Sequence, residues 1–281
     1  FKQKTAYEIK ECDWSSDVCS SDLGKPEEVQ LKPLLIKPTH SAPWSTIVLP
    51  SNCSGSDDRL WHFWVPELIK NNIAVVLVDS FKPRGFESIC SNQFRMTIGA
   101  RLQDVHQVLD YLRADSRFRS EKIALGGHST GAMTAFHSSF AEVLAHLNRK
   151  PGTGYNAFIG AAASCEMSFK TPLLQGPLLL ISGDKDDWTP AGPCEAESNR
   201  LKQSSQDASF IAIPGAYHTF STKGVVLFSL LLIAQDGIGL VDLFEFALAF
   251  GLVFGDIRMV LAGELAERLA DFVFGGGLAD A

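Results

Sequence analysis

The segment Lys122-Ile-Ala-Leu-Gly-Gly-His-Ser-Thr-Gly131 decides the fold of this chain. An apolar run ends in a Gly-x-Ser-x-Gly pentapeptide at residues 127–131, and an alanine-rich helical pattern follows. A serine at the tip of a tight strand-to-helix turn needs small residues on both sides, because strand and helix approach closely there. The segment therefore predicts a strand, an exposed Ser129 hydroxyl and a helix in succession. The alternative is a glycine-rich turn with a buried serine.

Short apolar runs alternate with helical patterns on both sides of this segment. The predicted strands are Val29–Ile36, Thr46–Pro50, Ile73–Asp79, Lys122–Gly126, Asn156–Ala163, Pro177–Gly183 and Ala208–Ile213. The predicted helices are Leu60–Lys70, Ile98–Leu112, Ala132–His146 and Glu195–Gln203. Continuous apolar strands between helices are typical of a mostly parallel sheet covered on both faces. We therefore expect an α/β fold with three layers, in which ligands bind beyond the carboxyl ends of the strands.

The composition is that of an ordinary globular chain. Of 281 residues, 46% are hydrophobic and 20% are charged, which argues against disorder, collagen and coiled coil. The formal net charge is −7, and an acidic balance argues against nucleic-acid binding, which usually requires a basic patch. Much of this acidity lies in residues 225–281, which carry eight acidic and two basic side chains.

The first 24 residues look foreign to the rest. Residues 13–23 have neither helical nor strand periodicity, and they resemble the translation of a common sequencing-library adapter. We interpret residues 1–24 as a non-native or disordered leader, with a polar surface loop as the alternative. The chain begins at Phe1 rather than at methionine, so we expect a fragment whose compartment, periplasmic, secreted or cytoplasmic, stays open.

The composition changes again after residue 224, so we place the folded domain at residues 25–224. The apolar, acidic segment 225–281 is predicted to be largely helical. Its stretch Gly237–Gly255 approaches membrane-spanning length, but Asp242 and Glu245 lie inside it. Each central acid costs about 2.5–3.5 kcal/mol on insertion, so we expect no membrane span. The segment is either a genuine helical layer or chimeric sequence.

A serine hydroxyl becomes a good nucleophile only when a base takes its proton and an acid orients that base. In chains whose catalytic serine lies at a sharp turn between a strand and a helix, the three catalytic residues follow one another in the order Ser, then Asp or Glu, then His. Downstream of Ser129, the loop after Pro177–Gly183 holds three aspartates, and His218 follows the last predicted strand. His218 is the sole histidine after His146, so it is the predicted base.

Four motifs stand in a fixed order along the chain: Asp79–Gly85, Gly127–Gly131, Asp186–Cys194 and Pro214–Phe220. With these motifs, residues 29–220 resemble the dienelactone hydrolase family of α/β-hydrolases, in a form with a serine nucleophile. The resemblance implies the α/β-hydrolase fold. The family normally has a helix after the histidine loop, whereas here native-looking sequence stops near Lys223, so foreign sequence in place of that helix is one alternative.

The resemblance also implies roles for individual residues. A Gly-x-x-Asp pattern four positions before a proline selects Asp186 as the triad acid, with Asp187 as runner-up and Asp184 too close to the strand. The oxyanion hole would combine the backbone N–H groups of Thr130 and Cys53. The family commonly has His-Gly where this chain has Ser51 and Asn52, which leaves the second donor less defined.

Two further residues are predicted to contact substrate. Arg84 could orient a substrate carboxylate by a bidentate contact, with a plain surface arginine as the alternative. Trp188 lies in the loop of the predicted triad acid. Neither a C-x-x-C pair nor a histidine cluster indicates a zinc site, and hydrolysis by a Ser-His-Asp triad implies no metal or organic cofactor.

The best-known dienelactone hydrolases use a cysteine where Ser129 stands, which favours a general serine hydrolase of small carboxylic esters or lactones. The expected partner is therefore a small-molecule ester or lactone, and the oligomeric state stays open. Alternatives are a peptidase or an acyl transferase on the same fold, or a chimeric product without catalysis.

Four cysteines remain outside the leader: Cys53, Cys90, Cys165 and Cys194. Cys165 follows one predicted strand and Cys194 follows the next loop, so both could lie at the ligand-binding edge of the sheet. We expect these two to form a disulfide, as in an oxidising compartment. Two free buried thiols are the alternative.

Overall fold

The computed structural model describes residues 29–55, 61–167 and 169–220 of the chain. The predictions for the leader 1–24 and for the segment 225–281 lie outside the described residues. So do the predicted domain boundaries and the fate of the helix after the histidine loop. No helix in the described part has the length and apolarity that crossing a bilayer requires.

Seven strands form one sheet in the order β1-β3-β2-β4-β5-β6-β7. Strand β1 pairs antiparallel with β3, and every other neighbouring pair is parallel. The strands are β1 (Leu34–Ile36), β2 (Trp44–Pro50), β3 (Ile73–Val78), β4 (Phe118–His128), β5 (Ala157–Ala161), β6 (Leu178–Gly183) and β7 (Ala208–Ile213). The predicted mostly parallel sheet is therefore confirmed.

Five α-helices and two short 3-10 helices connect the described strands. The α-helices are α1 (Trp61–Lys70), α2 (Ile98–Ala114), α3 (Thr130–Ser138), α4 (Ala141–His146) and α5 (Ala191–Gln203). The 3-10 helices, at Lys82–Arg84 and Gln93–Arg95, lie between β3 and α2.

Alternate side chains of each central strand enter two separate apolar cores. In β4, Ile123 and Leu125 belong to the core shared with α2, α3 and α5, whereas Ala124 belongs to the core shared with α1. Side chains in a strand alternate between the faces of the sheet, so a strand buried on both faces must be apolar throughout. This explains the continuous apolar runs, and it confirms the predicted three layers.

The predicted helix Ala132–His146 is in fact two helices. The hydroxyl of Ser139 donates to the carbonyl of Phe136 at 2.6 Å, and Phe140 adopts an extended backbone. Phe140 then forms an isolated antiparallel bridge with Leu174 and buries its ring against Phe169, with ring centroids 4.4 Å apart. Tertiary burial of one phenylalanine thus breaks a sequence that favours a single helix.

The first strand is shorter than predicted. It extends over Leu34–Ile36 rather than Val29–Ile36, between Pro33 and Pro38. Proline has no N–H to donate to a ladder, so pairing ends near each proline. An edge strand with one neighbour has little other support.

Two histidines are buried in the layer of α2 and α3. His106 Nε2 lies 2.8 Å from the Ser138 hydroxyl, and the Nδ1 atom of His137 lies 2.7 Å from the Met133 carbonyl. Burial lowers the pKa of His106 to about 3 and that of His137 to about 4. Both rings are therefore neutral in the folded chain at neutral pH.

Substituting His106→Gln should make the protein less sensitive to acid. An unfolded histidine titrates near about pH 6.5, so between there and about pH 3 the unfolded state binds a proton that folded His106 does not. This histidine thus lowers the free energy of unfolding by about 1.4 kcal/mol for each pH unit of acidification in that window. Urea unfolding across the window measures the slope. His40→Gln, at an exposed histidine, is the matched control, and an H106Q slope equal to wild type would contradict the assignment.

Candidate active site

The loops at the carboxyl edge of the sheet converge on Ser129. Its backbone has φ 54° and ψ −122°, which is strained for a residue with a side chain. A Cβ on Gly127 would lie 2.4 Å from the Gly131 carbonyl carbon, and one on Gly131 would lie 2.6 Å from the Pro50 oxygen. Only glycine fits at these two positions, so the pentapeptide makes the sharp turn predicted from sequence.

Ser129, His218 and Asp186 form one chain of hydrogen bonds. Ser129 Oγ lies 2.9 Å from His218 Nε2. His218 Nδ1 lies 2.9 Å from Asp186 Oδ2 and 3.1 Å from Oδ1. The rings and carboxylate are nearly buried, with His218 at 6% and Asp186 at 5% exposure. The arrangement allows Nδ1 to donate to the carboxylate and Nε2 to accept the serine proton.

The carboxylate of Asp186 is held by the turn that follows it. The backbone N–H groups of Trp188 and Thr189 donate to Oδ1 at 2.9 Å, and the Thr189 hydroxyl donates to Oδ2 at 2.8 Å. Burial alone would raise the pKa of Asp186, but the hydrogen bonds from Thr189 and His218 outweigh it and lower the pKa below its ordinary value. Asp186 therefore stays ionised beside His218.

Thr189 is a site residue that the sequence analysis missed. Its hydroxyl also lies 3.0 Å from His218 Nδ1 and 3.0 Å from the carbonyl of Ala162. A threonine three residues after an aspartate is a common partner in side-chain-capped turns, so the spacing Asp186-x-x-Thr189 was an available signal.

The other two aspartates of this loop lie elsewhere. Asp184 is exposed, and its Oδ1 accepts a hydrogen bond from the N–H of Gly215 at 2.7 Å. Asp187 is also exposed. Among the three, only Asp186 touches the histidine ring within the described part of the chain.

His128, immediately before Ser129, also contacts the histidine loop. Its Nε2 donates to the backbone carbonyl of His218 at 2.8 Å, and the two rings are 5.0 Å apart. Burial lowers the pKa of His128 to about 4, so the ring is neutral and keeps its proton on the nitrogen that donates. The structure places it in a structural contact inside the site.

The loop after β2 lies beside the turn at Ser129. Within the described residues, the backbone N–H groups of Thr130 and Cys53 donate no hydrogen bond. The carbonyl of Cys53 is engaged instead, because it accepts from Ile89 N–H at 2.8 Å and from the Ser88 hydroxyl at 2.9 Å. Both predicted oxyanion donors therefore have no acceptor among the described residues, and their role stays a prediction.

Arg84, which was predicted to contact substrate, is held by an ion pair inside the chain, and its substrate contact stays a prediction. Its guanidinium makes a bidentate ion pair with Asp104, at 2.8 and 2.9 Å, and donates to the Ser80 carbonyl at 2.7 Å. The Arg84 side chain is 13% exposed and that of Asp104 is fully buried. A guanidinium engaged this way has a structural contact that the sequence did not indicate.

Trp188 lies at the mouth of the site. Its ring stacks on that of His218, with centroids 5.0 Å apart and planes 29° apart, yet the residue is 70% exposed. Tyr217, immediately before His218, is 59% exposed. A substrate that approaches Ser129 would meet an exposed aromatic face beside the histidine.

Two disulfides flank the site. Cys165 and Cys194 are bonded, which confirms that predicted pair. Cys53 and Cys90 form a second disulfide, which the sequence analysis did not propose. Cys90 lies in a loop without periodic structure between the two 3-10 helices, so no strand pattern indicated its position beside Cys53.

No family model and no curated protein matches this chain. Several solved structures are similar to it. An alpha-beta serine hydrolase homologue from Coxiella burnetii has a TM-score of 0.51 at 19% identity, over 74% of this chain and 93% of that one. Esterase 2 of Thermogutta terrifontis, phosphoramylated by tabun, has a TM-score of 0.60 at 13% identity, over 92% and 94%.

A third similar structure is a protein named as a dienelactone hydrolase from Klebsiella pneumoniae. Its TM-score is 0.54 at 14% identity, over 73% of this chain and 93% of that one. Likeness at these identities speaks to the fold and not to the chemistry. The chain adopts the α/β-hydrolase fold.

Proposed function

We propose that this chain is a serine hydrolase of small carboxylic esters or lactones. The observation that carries the proposal is the chain of hydrogen bonds from Ser129 Oγ through His218 to Asp186, with 2.9 Å at each step. A serine on a strained turn, an imidazole within hydrogen-bond distance and a buried ionised carboxylate are the three groups that acyl transfer through serine requires. Structural neighbours that are esterases and serine hydrolases support the same class.

In the acylation step, Ser129 Oγ attacks the ester carbonyl carbon while His218 Nε2 takes the hydroxyl proton. The carbonyl oxygen becomes an oxyanion, and the N–H groups of Thr130 and Cys53 are its proposed donors. When the tetrahedral intermediate collapses, the bond to the alcohol oxygen breaks and His218 gives its proton to that oxygen. Ser129 is left as an acyl ester.

In the deacylation step, water is the only co-reactant. His218 removes a proton from the water as its oxygen attacks the acyl carbon. Collapse of the second intermediate breaks the bond to Ser129 Oγ, which takes the proton back from His218. Throughout, Asp186 fixes the ring orientation and stabilises the imidazolium, and it does not itself take up the proton.

We assign substrate contact to Trp188. It is exposed, and its ring stacks on that of His218, the residue that must protonate the leaving group. An indole face favours flat, apolar leaving groups. The assignment to esters and lactones rather than peptides is an expectation that a substrate panel tests. Turnover of peptides alone would favour the peptidase alternative.

Replacing Ser129 by alanine should lower turnover of p-nitrophenyl acetate by about ten-thousandfold or more, because the nucleophile is lost. The matched control is Ser182→Ala in β6. Ser182 is fully buried, and its hydroxyl makes no hydrogen bond with any described residue, so its activity should stay near wild type. Equal rates for S129A and wild type would end the catalytic proposal.

Replacing Asp186 by asparagine should lower kcat by about a thousandfold to ten-thousandfold, since an amide favours the wrong imidazole tautomer. Asp187→Asn, at the exposed neighbour, should stay near wild type. Steady-state kinetics on p-nitrophenyl acetate measures both. A larger loss for Asp187 than for Asp186 would reverse the assignment of the acid.

Replacing Trp188 by leucine should raise KM for p-nitrophenyl acetate by about three- to tenfold and change KM for vinyl acetate little, because only the first ester has an aromatic leaving group. The two esters share the acetyl-enzyme, so deacylation is the same for both. Tyr111→Leu, at an exposed aromatic on α2, is the control. Equal changes in KM for the two esters would remove Trp188 from the substrate contacts.

A further inference from the structure

Arg101 is a buried cation with no role in the proton transfers above. It lies in the first turns of α2 and is 2% exposed. Its Nε donates to the Thr134 hydroxyl at 3.1 Å and its Nη1 to the Thr130 hydroxyl at 3.1 Å. Its Nη2 donates a short hydrogen bond to the carbonyl of Ser51. All three acceptors are neutral.

These acceptors belong to the two chain segments that carry the proposed oxyanion donors. Thr130 supplies one N–H, and it begins helix α3, on which Thr134 also lies. Ser51 is two residues before Cys53, which supplies the other N–H. One guanidinium, whose donors have a fixed planar arrangement, therefore spans both halves of the proposed oxyanion hole.

The carboxylates near Arg101 do not divert it from these contacts. Asp104, one turn along the same helix, has both of its oxygens paired with Arg84. Asp104 and Asp79 still attract the Arg101 cation electrostatically, while burial opposes its charge and lowers its pKa to about 10. The guanidinium also lies over the Phe81 ring, 5.2 Å from the centroid. Arg101 thus stays charged at neutral pH. It donates its hydrogen bonds to Thr130 and Thr134 of α3 and to Ser51 in the loop after β2.

We infer that Arg101 is a positioning residue. Its hydrogen bonds join the loop after β2 to the N-terminus of α3 and so fix the positions of the two oxyanion donors relative to each other. The inference rests on the proposed ester hydrolysis. Hydrogen-bond donors aimed at a developing oxyanion are effective only when they are fixed before the reaction. Thr130 and Cys53 are 77 residues apart in sequence, so nothing local fixes their relative position. Arg101 supplies that link from a third element.

A cation at this place has a second consequence. Its charge lies behind the Thr130 hydroxyl, in a buried and therefore weakly screened environment. It is already in place in the ground state, so it costs no reorganisation when the carbonyl oxygen becomes negative. The effect should appear in the transition state and not in substrate binding.

The test is Arg101→Lys, which keeps the charge but loses the fork that reaches three acceptors at once. We expect kcat on p-nitrophenyl acetate to fall by about ten- to a hundredfold with KM changed less than about threefold. Affinity for benzyl trifluoromethyl ketone, which would form a tetrahedral oxyanion adduct on Ser129, should fall in parallel with kcat/KM. A purely structural arginine would lower the melting temperature without that parallel loss.

Arg113→Lys is the matched control. Arg113 lies on the same helix, and its guanidinium donates to the carbonyls of Thr153 and Gly154, before β5 and at the opposite edge of the sheet. We expect its kcat to stay near wild type. If Arg101→Lys retains wild-type kcat and inhibitor affinity, or if Arg113→Lys loses as much, the inference is overturned.

A second variant covers the case in which Arg101→Lys does not fold. Thr130→Val keeps the backbone N–H and the shape but removes a hydroxyl acceptor of Arg101, so kcat should fall in the same way with KM preserved. Unchanged turnover in T130V would then overturn the inference. Failure of the proposed function is distinguishable, because wild type itself would not hydrolyse the ester and S129A would equal it.

Discussion

The close approach of three backbone segments at Ser129 is the constraint on which the site depends. Strand β4, helix α3 and the end of β2 meet where a Cβ on Gly127 or Gly131 would collide with backbone atoms. The strained backbone of Ser129 persists because its N–H also donates to the carbonyl of Ala161, in the neighbouring strand, at 2.9 Å. The turn leaves the serine hydroxyl at the edge of the sheet, and the next N–H has no acceptor in the part of the chain that the structure describes.

The residues on either side of Ser129 each secure one neighbouring loop. His128 donates to the carbonyl of His218 and so holds the loop that carries the base. The hydroxyl of Thr130 accepts from Arg101, which holds the loop after β2. The side chains of His128 and Thr130 therefore have structural roles of their own. They couple the elbow to the two loops that must be in place for proton transfer and for stabilisation of the oxyanion.

The sequence predicted those features that depend on the order of motifs along the chain and on the periodicity of apolar residues. The central strands follow from apolar runs, and Ser129 and His218 follow from their order and from the strands before them, whereas the choice of Asp186 among three aspartates needed the family resemblance. Features that depend on packing between distant segments were not predictable. Arg84 and Asp104 pair across 20 residues, and Arg101 lies in a helix where an arginine would ordinarily face solvent. Helix α3 ends early because Phe140 is buried by Phe169, a contact with no local signal.

The two disulfides complete this arrangement, because each ties down a loop that the sheet alone does not order. Cys53–Cys90 joins the loop after β2 to a segment 37 residues away, and Cys165–Cys194 joins the loop after β5 to α5 across 29 residues. Closing loops of such lengths in the unfolded chain contributes about 4 kcal/mol each in the chain-entropy model. Loops with few apolar contacts of their own are otherwise the first parts of a fold to open. Stabilising an oxyanion with fixed N–H groups requires loops that keep one conformation. The two disulfides and the buried Arg101 therefore order these loops, whereas apolar packing orders the rest of the described fold.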